Sequence, residues 1–470
     1  MQKGGPDNRG ERFACTHRTK SAEQSLHEFR AMRDGEYKPK EVFLRMKMNL
    51  ESGNPYMWDM AAYRITETYH HHRTGEAWRI YPTYDFTHCL CDSFEEVSHS
   101  LCTTEFRTAR ESYDWLLQQL KEHLPAVPQQ RECVPWQIHS RFRSCTTNIM
   151  FRYGRLNVTG TVLSKRKIAK LVEDKIVRGW DDPRLYTLIA LRRRGIPPGA
   201  IRAFIAELGV SDTLSFIQTV RLETVVRKYM EKTVPRLMLV LDPIPIVIDD
   251  LPSDYHESIE LDFLRGDTSM GSHVVPFTRT VYIDRSDFRE EADPDFFRLA
   301  PGQTVGLLNV PFPIRATSFT KDATSGLVTE IRASYDRPSN PDSPITKPKA
   351  FIQWVALSPQ HNSPVRATVR IFNQLFKSEN PDNAPGGFMS DINAASEEVF
   401  PNAVVETGFE EIRRRAPWPK DKIANPHPGP WDVRFQGMRV AYFALDTEST
   451  EEHIVLNKIV SLKEDAGKAS

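Results

Sequence analysis

The 470-residue sequence lacks an apolar run long enough to cross a membrane. A spanning helix needs about 20 consecutive apolar residues, whereas the best stretch, LMLVLDPIPIVI, is broken by Asp242, Pro243 and Pro245. The opening residues, MQKGGPDNRGERF, contain no apolar signal-peptide core. We therefore expect a soluble protein with no membrane partner.

Cysteine is also scarce, with six residues in the whole chain. That number is too small for a disulfide scaffold and suits a reducing compartment, so we expect a cytoplasmic protein. Cys89 and Cys91, followed by a lone Cys102, do not have the paired spacing of a structural zinc site. Buried thiols are the interpretation, and neither structural zinc nor any other metal site is predicted.

The chain has no net charge, because 62 Lys and Arg residues balance 62 Asp and Glu residues. The distribution is nevertheless uneven. Residues 161–240 contain 16 basic and 8 acidic residues, and residues 241–300 contain 5 basic and 14 acidic residues. A basic block of this kind indicates a surface that faces a polyanion. The alternative is a set of solvated helix faces that happen to be basic.

The pattern of apolar residues changes near residue 240. Before it, apolar residues three and four apart predict helices, at 22–32, 111–124, 168–177, 185–191, 200–208 and 213–230. Gly195, Pro197 and Pro198 predict a helix stop and a restart. After it, short β-branched or aromatic runs between turn residues predict strands, at 239–248, 274–283, 304–308, 350–357, 365–372 and 438–445.

The motifs that carry chemistry lie between Tyr81 and Arg194, and include YPTYDFTHCLC, SLCTTEF, YGRLNVTGTVLSKRKI and GWDDPRLYTL. The SKRK cluster that begins at Ser164 follows a β-like stretch, at the point where a loop meets a helix. Cations at such a point suit a triphosphate that loses pyrophosphate. Taken alone, the cluster is also typical of an exposed helix start.

Together with FRAMRDGEYKPKEVFLRMKMNL, MGSHVVPFTRTVYIDRSDFREE and FQGMRVAYFALD, these motifs resemble the glutaminyl-tRNA synthetases of the eukaryotic, fungal type, which are class I enzymes. The resemblance runs from about Arg12 to about Lys463. The similar glutamyl-tRNA synthetases usually have Ala-Cys-Pro in place of Thr87-His88-Cys89 and Arg in place of Cys102. The glutaminyl family is therefore the closer match, and the glutamyl family is the alternative.

The resemblance implies a multidomain fold of α/β, α and β parts, with an incomplete class I nucleotide-binding fold, a helical subdomain and two C-terminal anticodon-binding β-barrels. The expected divisions follow the order of the chain. They are a remnant of the acceptor-stem-binding insertion (1–80), the second half of the nucleotide-binding fold (81–160), the signature loop with the helical subdomain (161–240), a proximal barrel (241–345 plus 432–470) and a distal barrel (346–431).

The implied activity is that of a ligase of translation, which uses ATP with Mg²⁺ to activate glutamine and transfers it to the glutamine tRNA. Tyr84 is expected to accept a hydrogen bond from the glutamine amide, with Phe106 on the same pocket wall. Ser164 and Lys165 are the implied catalytic residues, and Lys165 would stabilise the phosphates in the transition state. The implied ATP contacts are Thr103, Arg155, Leu156, Leu163, Ser164 and Lys165.

Contacts to tRNA are implied in the β-rich region. Gln436 matches an anticodon-contacting glutamine, and His273 occupies the position of an anticodon-contacting arginine in bacterial members. Lys347 and Lys349 are candidates for phosphate contact. The arginines from Arg192 to Arg194 either contact acceptor-stem phosphates or complement a helix dipole.

Two departures from the family pattern bear on activity. No His-x-Gly-His tetrapeptide, which holds the ATP phosphates in class I enzymes, occurs in the 470 residues. We therefore expect an N-terminally truncated chain that is inactive alone, and the alternative function is a non-catalytic tRNA-binding fragment. The family also runs Gln-Arg-Glu-Tyr-Gly-Arg without a break, whereas residues 133–152 separate Glu132 from Tyr153 here. That insert is either a retained intron or a genuine surface loop.

Overall fold

The structure is a computed structural model, which describes residues 14–67, 70–97, 99–125, 131–133, 149–209, 211, 213–293, 295–336, 348–417 and 428–462. It divides into two compact units. The first unit contains the described residues up to 156 and those of 210–215, and the second contains the described residues of 157–209 and those from 216 onward.

The first unit combines three described helices with short strands. The helices are α1 (Ala22–Asp34), α2 (Tyr84–Phe94) and α3 (Arg110–Gln119). The strands are β1 (Phe43–Arg45), β2 (Ala61–Ile65), β3 (Ile80–Pro82), β4 (His99–Thr103), β5 (Arg131–Cys133) and β6 (Ile149–Tyr153). Both α1 and α3 confirm predicted helices. Ser21 caps α1 by accepting a hydrogen bond from the Gln24 amide, and Gly35 ends it in the left-handed conformation.

Strands β4, β6 and β5 form a three-stranded sheet in that order, and both pairings are parallel. Parallel strands are what the second half of a nucleotide-binding fold requires. The sheet also bears on the insert predicted at 133–152, because the last four residues of the insert, 149–152, belong to β6. Residues 134–148 lie outside the described part of the chain, so the choice between a retained intron and a surface loop stays open.

The helical part of the second unit contains α4 (Lys165–Glu173), α5 (Leu188–Arg194), α6 (Pro198–Leu208) and α7 (Thr219–Met230). These helices confirm the apolar spacing found in the sequence. Gly195 ends α5 at φ 97°, and Pro198 occupies the first turn of α6. Gly195 also packs so closely on Ala444 that an added Cβ would lie 2.3 Å from the alanine Cβ. Position 195 therefore requires glycine for two reasons: the backbone is in the left-handed conformation, and there is no room for a Cβ.

Further strands follow in chain order. They are β7 (Leu156–Val158), β8 (Ser215–Ile217), β9 (Arg236–Leu237), β10 (Leu239–Val240), β11 (Pro243–Ile248), β12 (His256–Asp262), β13 (Ser272–Thr278), β14 (Thr280–Asp284), β15 (Thr304–Leu307), β16 (Ile314–Lys321), β17 (Val328–Tyr335), β18 (Phe351–Ile352), β19 (Val355–Ala356), β20 (Val365–Phe372), β21 (Glu397–Val405), β22 (Arg434–Gly437), β23 (Ala441–Leu445) and β24 (Ile454–Ser461), with α8 (Gly408–Arg415) between β21 and β22.

Most of these strands form two seven-stranded sheets. One has the order β18-β15-β16-β17-β11-β14-β19, and we call it the first barrel. The other has the order β10-β21-β20-β24-β23-β22-β9, and we call it the second barrel. In each sheet the two edge strands are consecutive pieces of the chain, interrupted only by Gln353 and Trp354 or by Met238. Each sheet therefore closes on itself, as a barrel does.

The division of the barrels that was expected from the sequence is wrong. The sequence predicts residues 346–431 as a distal barrel inserted into a proximal barrel of residues 241–345 plus 432–470. In the structure, β20 pairs with β24, and β21 pairs with β10, so these strands share the second barrel. The inserted barrel is instead the first one, which spans Pro243 to Ala356. Short amphipathic strands carry no signal for their partners, which is why the sequence led to the wrong pairing.

The cores match this division. Ile246, Phe277, Ile331 and Trp354 are fully or almost fully buried in the first barrel, and the indole N–H of Trp354 donates to the Leu308 carbonyl at 2.9 Å. The core of the second barrel includes the buried residues Leu237, Val369, Phe409, Phe435 and Phe443. Among the helices in the described residues, none is long and apolar enough to span a membrane.

Candidate functional site

Two exposed aromatic rings mark a face of the first unit. Tyr84 is the first residue of α2, and its side chain is 61% exposed. Phe106 ends the short helical turn after β4, is 44% exposed, and lies 6.4 Å from Tyr84 between ring centroids. Large aromatic side chains that remain this exposed are available to a ligand. The structure thus brings together the two residues expected to contact glutamine.

The Tyr84 ring rests on His88, one turn further along α2. The two rings stack with centroids 5.0 Å apart, and Tyr113 meets His88 in an edge-on arrangement at 5.3 Å. The buried carboxylate of Asp92 lies 3.5 Å from His88 Nε2 and accepts a hydrogen bond from the Tyr113 hydroxyl at 2.8 Å. The Tyr84 ring therefore packs on the imidazole of His88, which in turn lies beside the buried carboxylate of Asp92.

The Tyr84 hydroxyl stays protonated at neutral pH. Partial burial and the negative charges that Cys102, Asp92 and Asp85 can carry raise the pKa of Tyr84 above its ordinary value. Within the described residues, its hydroxyl makes no hydrogen bond to the protein. A neutral phenol with a free lone pair can accept a hydrogen bond from an amide NH₂ group.

Glu105 links two of the residues expected to contact ATP. Its carboxylate accepts a hydrogen bond from Thr103 Oγ1 at 3.3 Å and lies 4.0 Å from the Arg155 guanidinium. Both members of the Glu105–Arg155 pair are about half exposed, so the pair adds little stability. The pair therefore holds the Arg155 side chain only weakly. Leu156 follows it as the first, half-buried residue of β7.

In the second unit, the expected signature loop leads into α4. Leu163 and Ser164 are half-buried, and the Ser164 carbonyl accepts the first hydrogen bond of the helix from the Ile168 amide at 3.0 Å. Lys165 is the first residue of α4 and is exposed. No carboxylate of the described residues lies within 4 Å of its ammonium group. Its free charge and the positive end of the helix are the arrangement that binds phosphate.

The expected ATP and glutamine contacts therefore divide between the two units. Tyr84, Thr103, Phe106, Arg155 and Leu156 belong to the first unit. The loop from Leu163 to Lys165 belongs to the second.

The three consecutive arginines at the end of α5 have different environments. Arg192 is exposed and lies 5.4 Å from the ring centroid of Trp431. Arg193 and Arg194 are only 7% and 6% exposed, and they face inward. Arg194 donates to the Ile459 carbonyl at 2.8 Å and approaches Glu223 at 3.4 Å. The phosphate contacts expected of Arg193 and Arg194 are not supported, because both guanidinium groups are occupied inside the unit.

Arg193 is the centre of a buried charge cluster. It donates to both carboxylate oxygens of Asp446 at 3.0 Å, to Asp181 at 3.0 Å, and to Glu448. Burial opposes the charge of Arg193, but its acidic partners outweigh this effect and raise the pKa of the guanidinium group. Burial also opposes the charge of Asp446, yet hydrogen bonds from Arg193, the Glu448 backbone and Asn457 hold the pKa of that carboxyl below its ordinary value.

His273 is also buried, which argues against the expected anticodon contact. It lies on β13, stacks on Phe263 at 4.3 Å between centroids, and shares a 2.7 Å hydrogen bond with Glu406 through Nε2. Burial raises the pKa of Glu406 in spite of the hydrogen bond with His273. This pair links β13 to the end of β21, and its position indicates a structural role.

Gln436 and Lys349 remain accessible. The Gln436 backbone amide donates to the Pro235 carbonyl at 2.8 Å, and its half-buried side chain makes no hydrogen bond to the described residues. Lys349 is exposed, and its ammonium group lies 5.3 Å from the ring centroid of Phe297. Lys347 lies outside the described residues. The side chains of Gln436 and Lys349 are therefore free to contact RNA.

The cysteines near Tyr84 are separate thiols. Cys89 is buried, and burial raises its pKa to about 12, so it stays protonated. Cys91 is exposed, and Cys102 is half-buried. In the part of the chain that the structure describes, no three His, Cys, Asp or Glu side chains are grouped closely enough to hold a metal ion.

Comparison with known proteins identifies the class first. Residues 6–134 and 122–232 match the family described as "tRNA synthetases class I (E and Q), catalytic domain". Residues 234–336 and 351–416 match two families of the "anti-codon binding domain" of the same enzymes.

Individual relatives narrow the identification. The chain is 53% identical over its full length to a glutamine--tRNA ligase protein of Hypocrea virens, of which it covers 67%. It is 51% identical over 98% of its length to the glutamine--tRNA ligase of Saccharomyces cerevisiae, covering 55% of that protein. It is 50% identical over 99% of its length to a probable glutamine--tRNA ligase of Schizosaccharomyces pombe, covering 54%. The chain belongs to the glutaminyl-tRNA synthetase family of class I synthetases, and it spans between about half and two thirds of the length of these relatives.

The motifs of the sequence did not single out Asp92, Glu105 and Tyr113 as site residues. His88 was noted only as a difference from the glutamyl enzymes. A signal for Asp92 was present, because it follows His88 by four positions and Tyr84 by eight, a spacing that places all three residues on one face of a helix. Glu105 and Tyr113 carried no such signal.

Proposed function

We propose that the chain forms part of a glutamine--tRNA ligase, which activates glutamine with ATP and transfers it to the glutamine tRNA. The names of the fungal relatives support this proposal. Among structural observations, Lys165 carries it furthest, because it is exposed at the start of α4 and has no ion-pair partner in the described part of the chain. An unpaired cation at a helix N-terminus can stabilise charge that develops on a leaving pyrophosphate.

The proposed first step is attack by a carboxylate oxygen of glutamine on the α-phosphorus of ATP, which enters with Mg²⁺ as the substrate. The bond between the α-phosphorus and the bridging oxygen breaks, and pyrophosphate leaves with the electron pair. Lys165 would stabilise that charge, and the Ser164 loop would hold the phosphates. Thr103, Arg155 and Leu156 would contact the nucleoside part. In the second step, a hydroxyl of the 3′-terminal ribose attacks the acyl carbon of the adenylate, and AMP leaves.

Tyr84 is proposed to select glutamine over glutamate. Its protonated hydroxyl keeps a lone pair that can accept from the substrate's NH₂ group, whereas a carboxylate offers no such donor. Phe106 would form the apolar wall beside it, 6.4 Å away. Gln436 is proposed to contact an anticodon base, and Lys349 and Arg192 are proposed to contact phosphates.

Pyrophosphate exchange tests the catalytic assignment. The chain would be supplied with the segment that carries the family's His-x-Gly-His signature, and Lys165→Ala compared with Lys170→Ala. Lys170 lies on the same helix and pairs with Asp174 at 2.9 Å. We expect Lys165→Ala to lower kcat about 100-fold or more, with little change in the glutamine KM, as for a contact made in the transition state. A rise in the glutamine KM alone would contradict the assigned role.

A non-catalytic tRNA-binding fragment is the second candidate for the chain acting alone. It is favoured by the lack of a His-x-Gly-His tetrapeptide in the 470 residues. We expect the unsupplemented chain to bind the glutamine tRNA but to show no pyrophosphate exchange with glutamine. Exchange within about 100-fold of an intact ligase, a difference of about 2.7 kcal/mol in barrier height, would show that the signature is dispensable.

A further inference from the structure

We propose that the loop between β20 and β21, residues 373–396 of the second barrel, positions residues 161–166, which we call the Lys165 loop. This inference rests on the proposed function, because it concerns the same catalytic loop. The two segments belong to the same unit. The loop that carries Lys165 is anchored on both sides by one short turn of the β20–β21 loop.

The first anchor precedes Lys165. The Gly160 amide donates to the Glu379 carbonyl at 2.7 Å. Gly160 has φ +69°, a conformation that residues with side chains rarely adopt, and the Gln374 amide oxygen and the Ser378 carbonyl lie nearby. The turn that leads into the Lys165 loop therefore rests on the β20–β21 loop.

The second anchor follows Lys165. The Lys167 ammonium group forms an ion pair with Asp382, and it also lies 5.6 Å from the ring centroid of Phe388. Glu379 and Asp382 are only three positions apart in the β20–β21 loop. One short turn of that loop therefore contacts the chain both before Lys165, at Gly160, and after it, at Lys167. Lys167 is thereby committed to a protein partner, which leaves Lys165 and Arg166 as the exposed cations at the start of α4.

The surface that provides these anchors is itself well held. The Asp391 carboxylate accepts hydrogen bonds from the Ser378 amide at 3.1 Å and from the Ser378 hydroxyl at 2.7 Å. Leu375 and Phe376 are buried in a hydrophobic cluster with Val162, Ile168 and Leu171. The cluster therefore contains residues of the Lys165 loop, of α4 and of the second barrel.

The Lys167–Asp382 pair contributes little to global stability, because the two side chains are 32% and 50% exposed. Its effect is instead to restrict the orientation of the first turn of α4. A shift of about 1 Å in a catalytic group can lower a rate about 100-fold. The pair is thus more important for rate than for folding, and this difference makes the proposal testable.

The variant Asp382→Asn breaks the second anchor, and Asp174→Asn is the matched control. Asp174 also pairs with a lysine of α4, at 2.9 Å, but its partner is Lys170, which lies beyond the first turn of the helix. We expect Asp382→Asn to increase amide hydrogen exchange across residues 161–166 of the 470-residue chain about fivefold or more, as in local opening. The control should leave exchange in that segment unchanged, and both variants should keep the wild-type melting temperature.

Catalysis provides the second readout, in the chain supplied with the signature segment. We expect Asp382→Asn to lower kcat for pyrophosphate exchange about tenfold with an unchanged KM for glutamine, and Asp382→Glu to restore most of that loss. If Asp382→Asn left amide hydrogen exchange in residues 161–166 unchanged, the proposal would be overturned. It would also be overturned if amide hydrogen exchange increased while kcat for pyrophosphate exchange stayed the same. If the supplemented wild type shows no exchange activity with glutamine, the proposed function fails, and hydrogen exchange still decides whether Asp382 holds the loop.

Discussion

Two regions of the chain use polar side chains in opposite ways. Where α5 packs on the second barrel, Arg193 is almost fully buried and has three acidic partners, one of which, Asp446, is completely buried. At the start of α4 and of α2, by contrast, the Lys165 ammonium group and the Tyr84 side chain are exposed, and neither has a hydrogen-bond or ion-pair partner in the described residues. The charges of the first region are fully committed to the fold.

The contrast between buried and exposed polar side chains shows how structural residues can be distinguished from ligand-binding residues within one basic block. Residues 161–240 are rich in Lys and Arg, which suggested a surface for a polyanion. Arg193 and Arg194 account for part of that excess but face inward. Lys165, Arg166 and Arg192 are among the exposed basic residues of the block. Substitutions in the buried set should therefore affect stability, and substitutions in the exposed set should affect activity or binding.

The largest expected effect is that of Arg193→Ala. It leaves the buried Asp446 without its main partner, and breaking a buried pair in this way costs about 3–5 kcal/mol of the free energy of unfolding. Arg192→Ala is the matched control, because the neighbouring arginine is exposed and should cost about 1 kcal/mol or less. Urea denaturation measures both values. Equal losses for the two variants would break the comparison.

Tyr84→Phe should show the opposite behaviour. The change leaves the donor of the substrate amide unpaired, so discrimination between glutamine and glutamate should fall by about 1–3 kcal/mol in kcat/KM. The free energy of unfolding should not change, because the Tyr84 side chain is 61% exposed. Tyr37→Phe is the control, since Tyr37 packs against a separate hydrophobic cluster. Both quantities would be measured in the chain supplied with the signature segment.

The buried cluster also predicts a dependence on pH. The folded-state pKa of Asp446 lies below the unfolded value, so its contribution to stability is complete above the unfolded pKa of about 3.9 and is lost as the pH falls through the folded pKa. We expect the free energy of unfolding to decrease below about pH 4 and the slope to be shallower in Asp446→Asn. The exposed control Asp174→Asn should keep the wild-type slope, and equal slopes in all three proteins would contradict this account.

The smallest expected effects concern RNA binding. Gln436→Ala should weaken binding to the glutamine tRNA more than binding to a tRNA with an altered anticodon, by about 1–3 kcal/mol, without changing the salt dependence. Lys349→Ala should weaken both complexes equally and reduce the salt slope by about 1. Filter binding at several salt concentrations distinguishes the two. Equal weakening of both RNAs by Gln436→Ala would show that Gln436 only supports the barrel.

Much of the local structure was predictable from the sequence. The apolar spacing and the Gly195–Pro198 punctuation predicted α5 and α6, because helix periodicity and termini are local properties. The motifs around Tyr84 and Phe106 led to the prediction that both residues line one pocket, and the structure places their rings 6.4 Å apart. The network behind it was not predicted, because Tyr113 reaches Asp92 from a different helix.

By itself, the sequence determined the family, the order of helical and β-rich regions, and the types of residue available for chemistry. Only the tertiary structure decided which residue of each type serves which purpose. Arg192 and Arg193 are neighbours with identical side chains, yet one is exposed and the other is buried against Asp446, 253 positions away. The same holds for the strands, since β20 pairs with β24 across most of the second barrel's sequence. Long-range partners have no local signature, because pairing and burial depend on which surfaces meet once the chain has folded.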